Sequence, residues 1–281
     1  MANRLQRKQV AEETLQIINS GCYQLSDGSE VSIQTQLNHA VQNTEVWTPN
    51  SLKGLLSAHT PGTFETHFEV TAESSFTAAY RLVQTEKRDG VCVLNFASGK
   101  NPGGGFLKGS QAQEEILNRS SGLYECLLKS GSAYYEANKE ARAPYYTHSM
   151  IWSPAVPVFR NDVSNELLSI PYTVNVITAP AVNITSVAKV GRGTKDELAR
   201  VQKERINILF ALAAHKGIKT LVLGAWGCGC FGHTAKDMAS YFKDSLSENG
   251  LFHRNFESVV FAVHYTNDTG NIKAFEEAFA A

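Results

Sequence analysis

The apolar residues change period several times along the chain. Over residues 5–19, Leu5, Val10, Leu15, Ile17 and Ile18 stand among charged and polar neighbours, the spacing of an amphipathic helix. From there to about residue 75, short β-rich pieces (Val31-Ser32-Ile33, Phe64-Glu65-Thr66) are punctuated by Gly and Pro. Residues 1–75 are expected as an N-terminal extension, helical at its start and packed on the core of a domain spanning 76–281. Within that domain strands and helices alternate. Ser74 or Ser75 can cap a helix to about residue 86. Residues 91–96 (Val-Cys-Val-Leu-Asn-Phe) form a continuous apolar run, the signature of a strand buried on both faces. A Gly-rich loop at 98–110 leads to a helix over 113–129, with Ile116, Leu117, Leu123, Leu127 and Leu128 as its apolar positions. Strand-like segments follow at 146–152 and 172–178, then a long helix at 194–215 and a buried strand at 219–224. A second Gly-rich loop (225–232), a helix (235–247), a strand (258–263) and a last helix (271–280) complete the pattern. This alternation predicts an α/β fold, a sheet between helices. In such sheets ligands bind beyond the carboxyl ends of the strands, where both Gly-rich loops fall.

Composition narrows the function classes. The 281 residues carry 26 Lys and Arg against 27 Asp and Glu, so the chain has no basic footprint for direct, sequence-specific nucleic-acid binding. The five cysteines, at 22, 92, 126, 228 and 230, are odd in number and do not form a disulfide ladder. Reduced thiols in an intracellular, cytoplasmic protein are the expectation. The first twenty residues hold no long apolar run, which argues against a signal peptide or a membrane span.

The second loop, Gly227-Cys228-Gly229-Cys230-Phe231-Gly232, has the G-x-G-x-x-G spacing between a strand and a helix. A nicotinamide-dinucleotide site is disfavoured. Glu248, the nearest acid at the right distance, lies at a helix end, and only one strand remains downstream. Bare N–H groups at a helix start still suit a diphosphate; a tight strand–helix turn without a ligand fits as well. In the first loop, Gly103-Gly104-Gly105 follows Pro102. Three glycines cost backbone entropy and make sense where a ligand approaches the main chain more closely than a Cβ allows; the alternative is a flexible linker. After seven intervening residues comes Gln113-Glu114-Glu115 at a helix start. Adjacent helical residues point about 100° apart, so the two carboxyls cannot do the same job. Mutual repulsion and a dry pocket would raise one pKa, as an acid catalyst requires. Acidic residues are also simply common in first helical turns.

Gly103-Gly104-Gly105, seven residues, then Gln113-Glu114-Glu115 resembles the signature of the poly(ADP-ribose) glycohydrolases. Three further segments are similar to the shorter, bacterial-type branch. They are Asn95-Phe96-Ala97-Ser98-Gly99-Lys100-Asn101-Pro102, Arg119-Ser120-Ser121-Gly122-Leu123-Tyr124 and Thr178-Ala179-Pro180-Ala181-Val182-Asn183. The resemblance implies a macrodomain-like mixed sheet. It also implies hydrolysis of ribose–ribose O-glycosidic bonds, from chain ends, releasing ADP-ribose. Removal of single ADP-ribose units, or a reader that binds ADP-ribose without cutting it, are the alternatives. Glu115 is implied as the acid/base and Glu114 as the group holding the ribose, with Gln113 in the same substrate-binding signature. Gly103, Gly104 and Gly105 would pack on the ribose and diphosphate. Gly227, Cys228, Gly229 and Cys230 would cradle the diphosphate, and Phe231 would orient the terminal ribose. Asn95 is a ligand contact or a turn residue. His264 and Tyr265 are candidates for the adenine, with an ordinary surface role preferred. No cofactor or metal is implied, and Cys228, Cys230 and His233 make only a weak metal pattern. The expected partner is poly(ADP-ribose) or an ADP-ribosylated protein, bound by a monomer.

Overall fold

The computed structural model describes residues 2–129, 132–141, 145–191, 193–264 and 270–280. Two short strands, β1 (Cys22–Gln24) and β2 (Glu30–Ser32), pair as an antiparallel hairpin. Seven more build the main sheet: β3 (Glu45–Trp47), β4 (His67–Thr71), β5 (Val91–Phe96), β6 (Met150–Arg160), β7 (Leu167–Ala179), β8 (Thr220–Leu223) and β9 (Ser258–Ala262). Their order is β3-β6-β7-β5-β8-β9-β4. β7, β5, β8, β9 and β4 run parallel, while β6 and β3 are antiparallel to their neighbours. This is the mixed α/β sheet between helices that the pattern and the resemblance imply.

The continuous apolar runs follow from having helices on both faces. Side chains alternate across a strand, so Cys92 and Leu94 of β5, Leu221 and Leu223 of β8, and Val259 and Phe261 of β9 enter one core layer. Val91, Val93, Val222 and Val260 enter the other. The first layer is covered by helices Pro49–Ser57, Lys195–His215, Ala235–Leu246 and Gly270–Phe279, the second by Ser75–Tyr80, Gln113–Ser120 and Leu123–Lys129.

Three elements differ from the sequence pattern. The helix expected over 113–129 is two helices. It stops at Ser120; Ser121 is extended and bridges to Val158, and the Gly122 N–H bonds the Pro157 carbonyl at 2.9 Å. The strand-like pieces at 146–152 and 172–178 are parts of a longer hairpin, β6 with β7. Pro154 and Pro157 conceal it in the sequence, because proline is unfavourable inside a sheet except at irregularities. Here the register shifts between Ser153 and Val156, and Ala155 takes a left-handed φ of 47°. The strand expected at 64–66 forms instead at His67–Thr71.

Residues 1–75, expected as an extension packed on the domain, also supply both edges of the sheet, β3 and β4. β4 is fastened to the core by Arg81, whose guanidinium meets Glu69 at 3.1 Å, Glu73 at 2.8 Å and Glu86 at 2.6 Å. Phe68 packs on Phe279. A chain that starts at residue 76 would expose the open edges of β6 and β9. We expect it to lose the cooperative thermal transition of the full chain, as followed by circular dichroism.

Candidate active site

The loops after β5, β7 and β8 lie side by side, because these strands are parallel neighbours. The Gly224 backbone sits against the Phe96 ring, so the two Gly-rich loops begin in contact.

The helix carrying the acidic pair is pinned to the end of β5 by Gln113. Its side-chain Nε2 donates to the Leu94 carbonyl at 2.7 Å and to Ser75 Oγ at 3.1 Å, and its Oε1 accepts from the Phe96 N–H at 2.9 Å. The amide therefore completes the strand ladder. Both ends of the side chain are thus committed to protein, and Gln113 reaches the expected site by positioning the helix.

Both carboxyls turn from this helix towards Gly104. A Cβ built there would lie 2.6 Å from Glu115 Oε1 and 2.9 Å from Glu114 Oε2. Glu115 Oε1 accepts from the Gly105 N–H and its Oε2 from the Ala112 N–H, each at 2.9 Å. Glu114 Oε2 accepts from the Ser98 N–H at 2.7 Å, while Oε1 is buried with no partner among the described residues. Glu115 is 9% exposed and Glu114 4%. The two carboxyls thus share a nearly dry place but differ in environment. Burial pushes Glu114 well above the usual carboxylate range, opposed by the Ser98 N–H bond and helped more weakly by Glu115. The raised member expected of the pair is thus the one that the resemblance assigns to holding the ribose.

The three glycines also have a reason within the protein itself. Gly103 and Gly104 have left-handed φ of 64° and 60°. A side chain at Gly103 would meet Tyr124, Asn118 and Phe106; one at Gly105 would meet Ser110. The loop is bare so that the protein itself can close on it. Asn95 is fully buried, and its Nδ2 donates to Thr178 Oγ1 at 3.2 Å. Its side chain lies against the Glu114 carboxyl, so it backs the acid.

In the second loop, the N–H groups of Gly229, Cys230 and Phe231 donate to no acceptor among the described residues. Successive free N–H groups before a helix start suit an anion. Cys228 departs from the expected cradle, since its N–H closes a turn on the Ala225 carbonyl at 3.1 Å. Burial pushes its thiol up to about 12, while Cys230 is exposed. Gly227, at φ 76°, is hemmed in by Ala181 and His233. His233 is buried and bonds the Val182 carbonyl through Nε2 at 2.8 Å; burial lowers its pKa, so it braces the loop as a neutral ring. The described residues hold no group of three His, Cys, Asp or Glu side chains placed for a metal. His264 is exposed beside the Ala72 carbonyl, and Tyr265 lies outside the described residues.

Two residues that sequence reasoning missed link the loops. The Tyr146 ring packs on Gly99 of the first loop and stands 6.2 Å, centroid to centroid, from Phe231 of the second. Its backbone has a left-handed φ of 59°. The fully buried Arg205 donates to the carbonyls of Tyr145 at 2.7 Å, Tyr146 at 3.3 Å and Pro180 at 2.9 Å. A residue such as Tyr146, far from either glycine motif, offers no spacing to read; Arg205 inside a helical pattern looks like one more surface charge.

The family model described as the microbial-type PARG catalytic domain matches residues 11–161. The fold is similar to poly(ADP-ribose) glycohydrolase from Thermomonospora curvata, with 40% identity over 97% of this chain and 99% of that one and a TM-score of 0.92. This chain belongs to the microbial-type poly(ADP-ribose) glycohydrolase family. A second structure of the T. curvata enzyme, bound to the inhibitor ADP-HPD, matches with a TM-score of 0.90. The enzyme from Deinococcus radiodurans in complex with ADP-ribose is 40% identical over 87% of this chain and 97% of that one, with a TM-score of 0.81. No curated protein matches the chain.

Two measurements probe the acidic pair of this glycohydrolase family member. Because the folded protein holds the Glu114 proton more tightly than the unfolded chain, that group's contribution to stability is full in acid. It is lost as pH rises from the usual 4.5 through the raised folded value. Glu114→Gln removes the ionisation and keeps an acceptor for Ser98. It should raise Tm at neutral pH, with the gain shrinking in acid. Gly104→Ala strains a left-handed position, costing about 1–3 kcal/mol in chemical denaturation. It should also abolish most turnover, since the new methyl group displaces both carboxyls.

Proposed function

We propose that this chain hydrolyses poly(ADP-ribose) at ribose–ribose O-glycosidic bonds, from the chain end, releasing ADP-ribose. The observation that carries this reading is the convergence of Glu114 and Glu115 on Gly104, at the strand ends next to a loop with free N–H groups. Membership of the glycohydrolase family supports reading that pair as a glycosidase pair.

In this reading the substrate diphosphate rests on the N–H groups of residues 229–231, and Phe231 limits the movement of the terminal ribose. Glu114 holds a ribose hydroxyl. Glu115 gives its proton to the leaving 2′-oxygen as the bond to the anomeric carbon breaks and its electron pair goes to that oxygen. The substrate's own diphosphate stabilises the oxocarbenium-like ribose. The Glu115 carboxylate then takes a proton from the water that adds to the same carbon, which restores the acid. One glutamate thus serves both half-steps, unlike the usual glycosidase with two separated carboxylates. Burial disfavours a charge on Glu114, which eases the change of charge at Glu115 beside it.

We further infer that the protein acts as a monomer on poly(ADP-ribose) or ADP-ribosylated proteins. It would reverse ADP-ribosylation inside the cell, including after DNA damage. The five free cysteines, two of them buried and two half-buried, support an intracellular setting.

Replacing Glu115 with Gln keeps shape and removes the acid. Turnover of polymer should fall by at least about 10² to 10⁴-fold, with ADP-ribose binding by calorimetry retained. Wild-type release of ADP-ribose by this variant would defeat the assignment. Phe231→Ala should lower turnover by about 10²-fold, since a misplacement of about 1 Å has that effect. Chromatography of products from polymer and from mono-modified protein checks which bond is cut.

A further inference from the structure

Arg119 follows Glu115 by four residues, one turn along the same helix, so the two share a face. Its side chain is buried, 2% exposed. Taking a guanidinium from water is costly unless its donors are well satisfied. They are satisfied here by a loop and not by a carboxylate. Nη1 donates to the Ser110 carbonyl at 2.7 Å and Nη2 to Gln111 Oε1 at 2.6 Å.

That loop carries both N–H donors of Glu115. The Ser110 N–H bonds the Gly105 carbonyl at 3.2 Å, and the Ser110 side chain lies against Gly105, whose own N–H holds Glu115 Oε1. Gln111 precedes Ala112, whose N–H holds Oε2. The same loop is gripped from outside by the helix Arg4–Ser20. Arg7 Nε donates to the Gly109 carbonyl at 2.8 Å, and Arg4 Nε to the Lys108 carbonyl at 3.0 Å. Thr14 Oγ1 donates to the Arg119 carbonyl at 2.7 Å. Gly109, at φ 71°, lies so close to this helix that a side chain there would strike the Arg4 backbone.

We propose that Arg119, backed by Arg7 and Thr14, is a positioning residue for Glu115. It fixes residues 109–112 so that the carboxyl stays seated on the Gly105 and Ala112 N–H groups at the geometry proton transfer needs. The inference rests on the reading of Glu115 as the acid/base. The network does not reach the second Gly-rich loop, so its loss acts on the chemical step and spares the hold on the diphosphate.

The test uses the full chain carrying Arg119→Met, Arg119→Lys, Arg7→Gln or Arg7→Gln with Thr14→Val, beside Glu115→Gln. Turnover and KM on polymer, ADP-ribose affinity by calorimetry, and Tm are measured for each. Arg119→Met should lower kcat about 10² fold, as a small displacement of a catalytic group does, with KM and ADP-ribose affinity within about twofold of wild type. Arg119→Lys, which can satisfy one of the two acceptors, should recover part of the loss. The Arg7 variants change only the outer grip and should lower kcat in the same sense, more weakly. They also decide the matter if Arg119→Met does not fold. Unchanged kcat in the folded Arg119→Met and in the Arg7, Thr14 double variant overturns the proposal, as does a fall in kcat matched by an equal loss of ADP-ribose affinity. If Glu115→Gln keeps wild-type turnover, it is the reading of Glu115 that fails; an inactive Glu115→Gln beside fully active Arg119 and Arg7 variants removes the positioning role alone.

Discussion

A helix can present its first side chains over the end of a neighbouring strand only if the angle between them is fixed. Here one side-chain amide fixes it. Gln113 accepts from Phe96 and donates to Leu94, substituting for a stretch of neighbouring strand at the point where β5 runs out. Buried backbone groups need partners, and these two find theirs in the residue that precedes the acidic pair. The direction of Glu114 and Glu115, the seating of both on backbone N–H groups, and the bare loop that receives them all follow from that attachment.

The surroundings of the pair depart from ordinary core chemistry. Glu114 Oε1, Asn95 Oδ1, Asn118 Oδ1 and the hydroxyls of Tyr134 and Tyr135 are buried without a partner among the described residues. Tyr134 and Tyr135 lie close enough to Glu114 that a charge there would bear on them. Arg119 and Arg205 are buried guanidiniums that bond carbonyl and amide oxygens, and burial pushes both down to about 10. Such groups weaken a fold unless the surrounding structure over-determines them, and they concentrate where a site needs fixed dipoles in a place of low dielectric. The hydrophobic layers on both faces of the sheet supply that surplus of stability.

Much of this was legible in the sequence. The runs at 91–96, 219–224 and 258–263 are strands because every one of their side chains has a helix to face, on one side or the other. Thr194 and Ser74 cap helices as their residue types suggest. The spacing from Gly103 to Glu115 carried the identity of the site. What the spacing could not convey was purpose. The glycines read as room for a ligand, yet their neighbours are Glu114, Glu115, Tyr124 and Ser110. Gln113 reads as a contact and Asn95 as a contact or a turn residue; neither reading reveals that one side chain serves the strand and the other the acid. Long-range partners were also invisible, because nothing local marks Arg7 as reaching Gly109 or Tyr146 as reaching Gly99. The hairpin of β6 and β7 was shortened by its prolines, whose tolerance depends on a bulge that only the folded register creates.

The pairing of β4 with β9 has a consequence for biosynthesis. His67 lies opposite Ser258, and Thr71 opposite Ala262. A ribosome delivers β4 long before β9, so this early strand must wait, unpaired, until residues 258–262 are made. Contacts of such wide sequence separation form slowly, and an unpaired strand edge invites association with other chains meanwhile. β8, whose end bears the second Gly-rich loop, pairs with β9 as well. Nascent chains therefore gain a closed cleft only after β9 has been made, and a product that stops short of it should be a target for chaperones and not a partial enzyme.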